Sequence, residues 1–160
     1  MVSCNLRYLR SLSGVFKIIE MVSVSVALGL FRGVPLTLGD PQHDSLSVGT
    51  DADFFAGGVM VAAMLITPLL FVFYVTGVVH IQQTILELAI NFLFFSFLFI
   101  SASVSMSFWH QPTYYWKDYK AAGISMGVFL YISSAAYLVD TVLASKNYCC
   151  QPKQTNDSTA

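Results

Sequence analysis

Four long apolar runs, separated by short polar stretches, divide the 160-residue chain. They cover 12–31, 54–79, 85–108 and 121–144. An α-helix rising 1.5 Å per residue needs about 20 apolar residues to cross a hydrocarbon core, and each run is that long. The pattern predicts an all-α membrane protein, a bundle of four transmembrane helices. The connections are too short for a soluble domain, so 1–160 reads as one four-span membrane domain with a short cytosolic tail over 145–160. The first run is interrupted by Lys17 and Glu20, leaving an unbroken stretch only over 21–31. Behind Arg7, Arg10 and Lys17 that stretch also has the form of a signal-peptide core, with Ala27-Leu28-Gly29 as a small-residue cleavage site. Lys17 is close enough to the start of the run to reach the interface, and Glu20 lies one turn further on as a partner. The run is therefore kept as a helix.

Composition strengthens the membrane reading. The chain is 56% hydrophobic and 11% charged, with a mean hydropathy of +0.66. Soluble domains carry roughly a quarter charged residues. The basic residues also suggest an orientation. Arg7, Arg10, Lys17, Lys146 and Lys153 fall on the side of the termini, and Arg32, Lys117 and Lys120 on the other. By the positive-inside rule both termini are expected in the cytoplasm.

Four ionisable residues lie within the spans: Lys17, Glu20, Glu87 and Asp140. An up-and-down bundle gathers all four near one membrane face, away from the midplane, where an acid or lysine costs about 2.5–3.5 kcal/mol on insertion scales. Three readings follow. The charges snorkel to the interface; or Lys17 pairs with Asp140 or Glu20 and fixes the first helix to the fourth; or they belong to an ion pathway. A pathway would need polar groups through the whole thickness, and the opposite half offers mainly Ser and Thr.

Small residues mark candidate packing faces. Gly123 and Gly127 form a G-x-x-x-G in the fourth run, with Ala135 two turns on, and Gly58 and Ala62 stand four apart in the second. The first run offers Ser23 with Ala27 and Ser25 with Gly29. Such spacing lets helices approach closely, within one bundle or across a lateral homo-oligomer contact. Pro68 removes one backbone donor from the second run. The second long loop is aromatic, with Trp109, Tyr114, Tyr115, Trp116 and Tyr119 close together. These form either an interfacial belt or an extracellular surface for a partner. The first loop has Asp40, Asp44, Asp51 and Asp53 and reads as a solvated acidic loop.

Catalytic chemistry is not indicated. His43, His80 and His110 lack the i,i+4 spacing of a helical metal site, and there is no P-loop, nucleophile elbow or nucleotide fingerprint. No enzyme activity, cofactor, metal site or nucleic-acid partner is expected. The three cysteines, Cys4, Cys149 and Cys150, all fall on the side expected to be cytosolic, so no disulfide is expected to brace the outer loops. Cys149 and Cys150 just beyond the fourth run are candidates for reversible acylation, or else a pair of reduced thiols.

Several segments carry a resemblance. They are Met1-Val2-Ser3, Gly58-Val59-Met60-Val61, Tyr115-Trp116-Lys117, "GISMG" (123–127) and "AYLVDTVLA" (136–144). With the four-span plan they make the chain similar to the MARVEL group, and within it to the snakeskin-like small four-span proteins of arthropod smooth septate junctions. That resemblance implies a non-enzymatic part in an occluding junction and its paracellular barrier. It also implies a place in the lateral plasma membrane, among lipids, beside the large single-span protein mesh and a tetraspanin. A MARVEL-type role in membrane trafficking or fusion, and a small channel or transporter subunit, remain as alternatives. One prediction follows from the tail. Metabolic labelling with a palmitate analogue should mark the parent protein, and Cys149→Ser/Cys150→Ser should remove the label; an unlabelled parent would end the acylation reading.

Overall fold

The computed structural model describes residues 11–33, 51–76, 85–110 and 117–149. These form α1 (Leu12–Gly33), α2 (Asp51–Val75), α3 (Ile85–His110) and α4 (Lys117–Cys149), with no strand among the described residues. All four helices are long and apolar enough to cross a membrane. In lipid every backbone N–H and C=O must be satisfied internally, and a helix achieves this within one segment.

The boundaries differ from the apolar runs in instructive ways. α2 ends at Val75, followed by a turn in which the Thr76 hydroxyl and amide both donate to the carbonyl of Val72. Pro68 is accommodated inside that helix. α4 extends beyond its apolar run at both ends, from Lys117 to Cys149. Its polar end residues are ordinary helix formers that hydropathy alone does not count. Residues 145–149, expected as the start of a tail, continue the helix.

The helices run alternately up and down. At one end, Ser13 of α1 reaches Asp140 of α4, and Tyr74 of α2 reaches Glu87 of α3. At the other, Phe31 of α1 lies against Gly57 of α2, and Trp109 of α3 against Gly123 of α4. Sequential helices are neighbours and α4 returns beside α1, which closes the ring. The α3–α4 contact is the most extensive, followed by α1–α4; α2–α3 is the thinnest. The apolar centre is built from Val24 and Ala27 of α1, Ala56, Met60 and Ala63 of α2, Leu98 and Ala102 of α3, and Met126 and Leu130 of α4. Outward-facing positions such as Leu65, Phe92, Ile100 and Val142 are apolar and exposed, as a lipid-facing surface requires.

Glycine 123 and Gly127 are buried in the α3–α4 seam. A Cβ at Gly123 would collide with the Trp109 indole, and one at Gly127 would come within 2.9 Å of Met106 Cγ and Sδ. The absence of side chains here lets α3 lay large residues directly on the backbone of α4. Ala135 does not share this face and is exposed. At 100° per residue, the eight steps from Gly127 leave it about 80° off the line, whereas Ser134, seven steps on, is buried and donates to the Phe95 carbonyl. Gly58 is likewise outside the packing surface: it is exposed, and a Cβ there would meet nothing within 4 Å. Ala62 is half-buried beside the core, and the closer approach of α2 runs through Ala56, Met60 and Ala63. On α1, Ser23 and Ala27 are buried while Gly29 is exposed.

These contrasts yield a paired test. Gly123→Ala should lower unfolding stability in detergent by about 1–3 kcal/mol, the usual cost of overpacking a filled core. Gly58→Ala should be neutral or raise stability by up to about 1 kcal/mol through helix propensity. Equal effects in thermal or denaturant unfolding would contradict the assigned seam.

Candidate functional site

The inward face of α1 is its polar face. Gly14, Lys17, Glu20, Ser23, Val24 and Ala27 recur at three- and four-residue spacing and are all buried. This inverts the usual arrangement for a soluble helix, because the apolar surroundings are outside. The Lys17 side chain is 0% exposed, which rules out snorkelling to the interface.

Its ammonium has three donors and meets three oxygens. Nζ lies 3.0 Å from Glu20 Oε2, 2.9 Å from Asn91 Oδ1 and 2.6 Å from Asp140 Oδ2. The Tyr137 ring adds a face 5.4 Å away. Asp140 is held from two other helices: its Oδ1 accepts from Ser13 Oγ of α1 at 2.9 Å, and its Oδ2 accepts from Asn91 Nδ2 of α3 at 3.0 Å as well as from Lys17 of α1. Asn91 thus bridges cation and anion, accepting through its oxygen and donating through its nitrogen. α2 joins through hydroxyl groups, as Thr67 hydrogen-bonds Tyr137 and Tyr74 donates to Glu87. One helical turn deeper, Ser23 and Ser133 hydrogen-bond at 2.6 Å. The cluster therefore ties all four helices at one end of the bundle. Glu20 Oε1 is buried there with no hydrogen-bond partner among the described residues.

All four intramembrane charges noted in the sequence converge here. Both sequence candidates for the Lys17 partner are in contact with it, Glu20 within α1 and Asp140 across to α4. Glu87 is buried beside Tyr74 rather than in direct contact with the ammonium. Sequence reading missed Asn91, which carries the bridge. Its signal was its position one turn after Glu87 on the stripe Glu87–Asn91–Phe94–Leu98 that α3 buries.

The aromatic set separates. Trp109 is 2% exposed and closes the opposite end of the α3–α4 seam, so it does not belong to an outer surface. Its indole occupies the space left by Gly123 and meets Phe108 edge-on at 5.3 Å, while Nε1 has no partner among the described residues. Tyr119 is 48% exposed, as a surface reading expects. Tyr114, Tyr115 and Trp116 lie outside the described residues, as do Cys150 and most of the first loop; Cys149 is the last residue of α4.

What the cluster can do is mechanical. Lys17, Glu20, Asn91 and Asp140 are buried against one another, and among the described residues no group of His, Cys, Asp and Glu has metal-binding geometry. It makes helix association directional, since Lys17 is satisfied only when α3 and α4 present Asn91 and Asp140 at its depth.

Protein snakeskin of Bombyx mori is 25% identical over 140 residues, covering 81% of this chain and 88% of the silkworm protein. The chain is snakeskin-like. No protein-family model matches it, and no solved structure does so either. The match and the four membrane-competent helices together make this snakeskin-like chain a multi-pass membrane protein.

The cluster generates a double-mutant test. Lys17→Met leaves the buried carboxylates of Glu20 and Asp140 without their cation, and breaking such a pair costs about 3–5 kcal/mol. Adding Asp140→Leu to Lys17→Met should recover part of that loss, giving a coupling of about 0.5–3 kcal/mol in reversible unfolding. Additive effects would mean the two side chains are energetically independent.

Proposed function

We propose that this protein is a non-enzymatic component of an occluding epithelial junction of the smooth septate type. It sits in the lateral plasma membrane with both termini in the cytoplasm. The observation that carries this reading is the similarity to snakeskin across nearly the full length of both chains, 81% of one and 88% of the other. The structure supports it through a bundle whose polar groups are spent on its own assembly. Lys17, Glu20, Asn91 and Asp140 are engaged with one another, leaving a mostly apolar outer surface for lateral contact with membrane neighbours. In this role the protein orders other junction proteins within the bilayer and so restricts leakage between cells. The resemblance points to a large single-span protein of the mesh type and a tetraspanin as those neighbours.

Localisation tests the proposal directly. Tagged protein in polarised epithelium should form a lateral band at the junction and co-purify with a large single-span protein and a tetraspanin. Its depletion should raise tracer permeability between cells. Intracellular puncta without those partners, with the barrier intact after depletion, would move the function to trafficking or fusion.

A further inference from the structure

A second surface feature lies on the outside of the bundle, at the same end as the buried cluster. There the start of α3 and the end of α4 enclose a groove of about 460 Å³. It is lined by Ile85, Leu88 and Phe92 of α3 and by Val142, Ser145 and Lys146 of α4. Ligand clefts commonly measure about 300–1,000 Å³, so the groove is large enough to hold part of a lipid rather than only solvent. Its walls are mostly apolar; Ser145 and Lys146 stand at its outer end, and the Thr141 hydroxyl one turn deeper is already spent on the Tyr137 carbonyl.

The orientation of the groove follows from the helices. Lys146 is in the last turn of α4, and Phe92 is two turns inside α3, roughly 10 Å deeper. A molecule lying in it therefore meets hydrocarbon at depth and an ammonium at the membrane surface. Lys146 is exposed, and neither it nor Ser145 has an ion pair or hydrogen bond among the described residues. The acids of these two helices at this end of the bundle, Glu87 and Asp140, are buried inside it, so they do not neutralise Lys146 from the outer face.

We propose that the α3–α4 groove is a binding site for one anionic phospholipid. One acyl chain lies along Leu88, Phe92 and Val142, and the headgroup phosphate meets Lys146 and the Ser145 hydroxyl. A basic residue near an anionic membrane surface contributes about 1 kcal/mol of attraction, which corresponds to roughly a fivefold preference over a zwitterionic lipid. The site does not depend on the junction reading.

The test uses the full chain in phosphatidylcholine vesicles with Phe92→Trp as a contact reporter. Phe92 is exposed, so the substitution leaves the core intact. Phosphatidylserine or phosphatidylcholine with brominated chains is then added to both leaflets, and quenching is read as the difference from the protein lacking the reporter. Brominated phosphatidylserine should associate about fivefold more strongly, and Lys146→Gln should bring the two lipids level. Equal quenching by both lipids before that substitution would reduce the groove to ordinary lipid contact. Quenching by neither would mean that protein, such as a second copy, fills it. A serine-lipid preference that survives Lys146→Gln would remove the assigned headgroup contact. Any of these three results overturns the proposal.

Discussion

An ammonium group enclosed within a membrane bundle has few tolerable environments. Water is excluded, lipid offers no acceptor, and the cost falls only if every donor finds an oxygen. Lys17 meets this demand through Glu20, Asn91 and Asp140, drawn from three different helices. Much of the architecture follows from that requirement. The starts of α1 and α3 and the ends of α2 and α4 must gather at one end. The Tyr137 ring, the Thr67 hydroxyl and the Tyr74–Glu87 contact then fill the shell around it. Because hydrophobicity does not distinguish one apolar helix from another in lipid, these polar contacts specify which helices meet and at what depth.

The opposite end closes by a different principle. Trp109 fits over Gly123 and Met106 over Gly127, so shape complementarity holds the seam. Edge-to-face aromatic contacts add to the packing, Phe99 with Tyr131 at 5.6 Å between α3 and α4 and Phe55 with Phe97 at 5.5 Å between α2 and α3. Polar specification at one end and steric specification at the other together fix both register and rotation. α2 shares least in this scheme, with its thin contact to α3, and relies more on α1 and on its hydroxyl contacts.

The four helices were legible in the sequence because apolar length is set by membrane thickness and little else imitates it. Helix ends were less so, since Lys117–Lys120 and Lys146–Cys149 extend α4 with residues that hydropathy treats as loop. The convergence of Lys17 with Asp140 and Glu20 could be anticipated from their common depth. Choosing between a buried pair and snorkelling charges required knowing which way α1 faces. The spacing Gly14, Lys17, Glu20, Ser23 and Ala27 contained that information once the inward face is understood to be polar. Asn91 was overlooked because a lone amide in an apolar run has no motif. Trp109 was misplaced because a belt residue and a core residue look alike until the missing side chain of Gly123 is seen beneath it. Ala135 was included by counting small residues without following the helical angle.

The arrangement around Lys17 also has a consequence for synthesis. Asp140 is made about 120 residues after Lys17, which at typical elongation rates of about 5–20 residues per second is a delay of roughly 6–25 s. During that interval α1 can be in the bilayer while its interhelical partner is still in the ribosome. Glu20, one turn away on the same helix, is already present and makes a locally neutral pair with Lys17. The same carboxylate that completes the finished cluster can therefore act as an escort for the lysine, keeping the first helix insertable until the last one arrives.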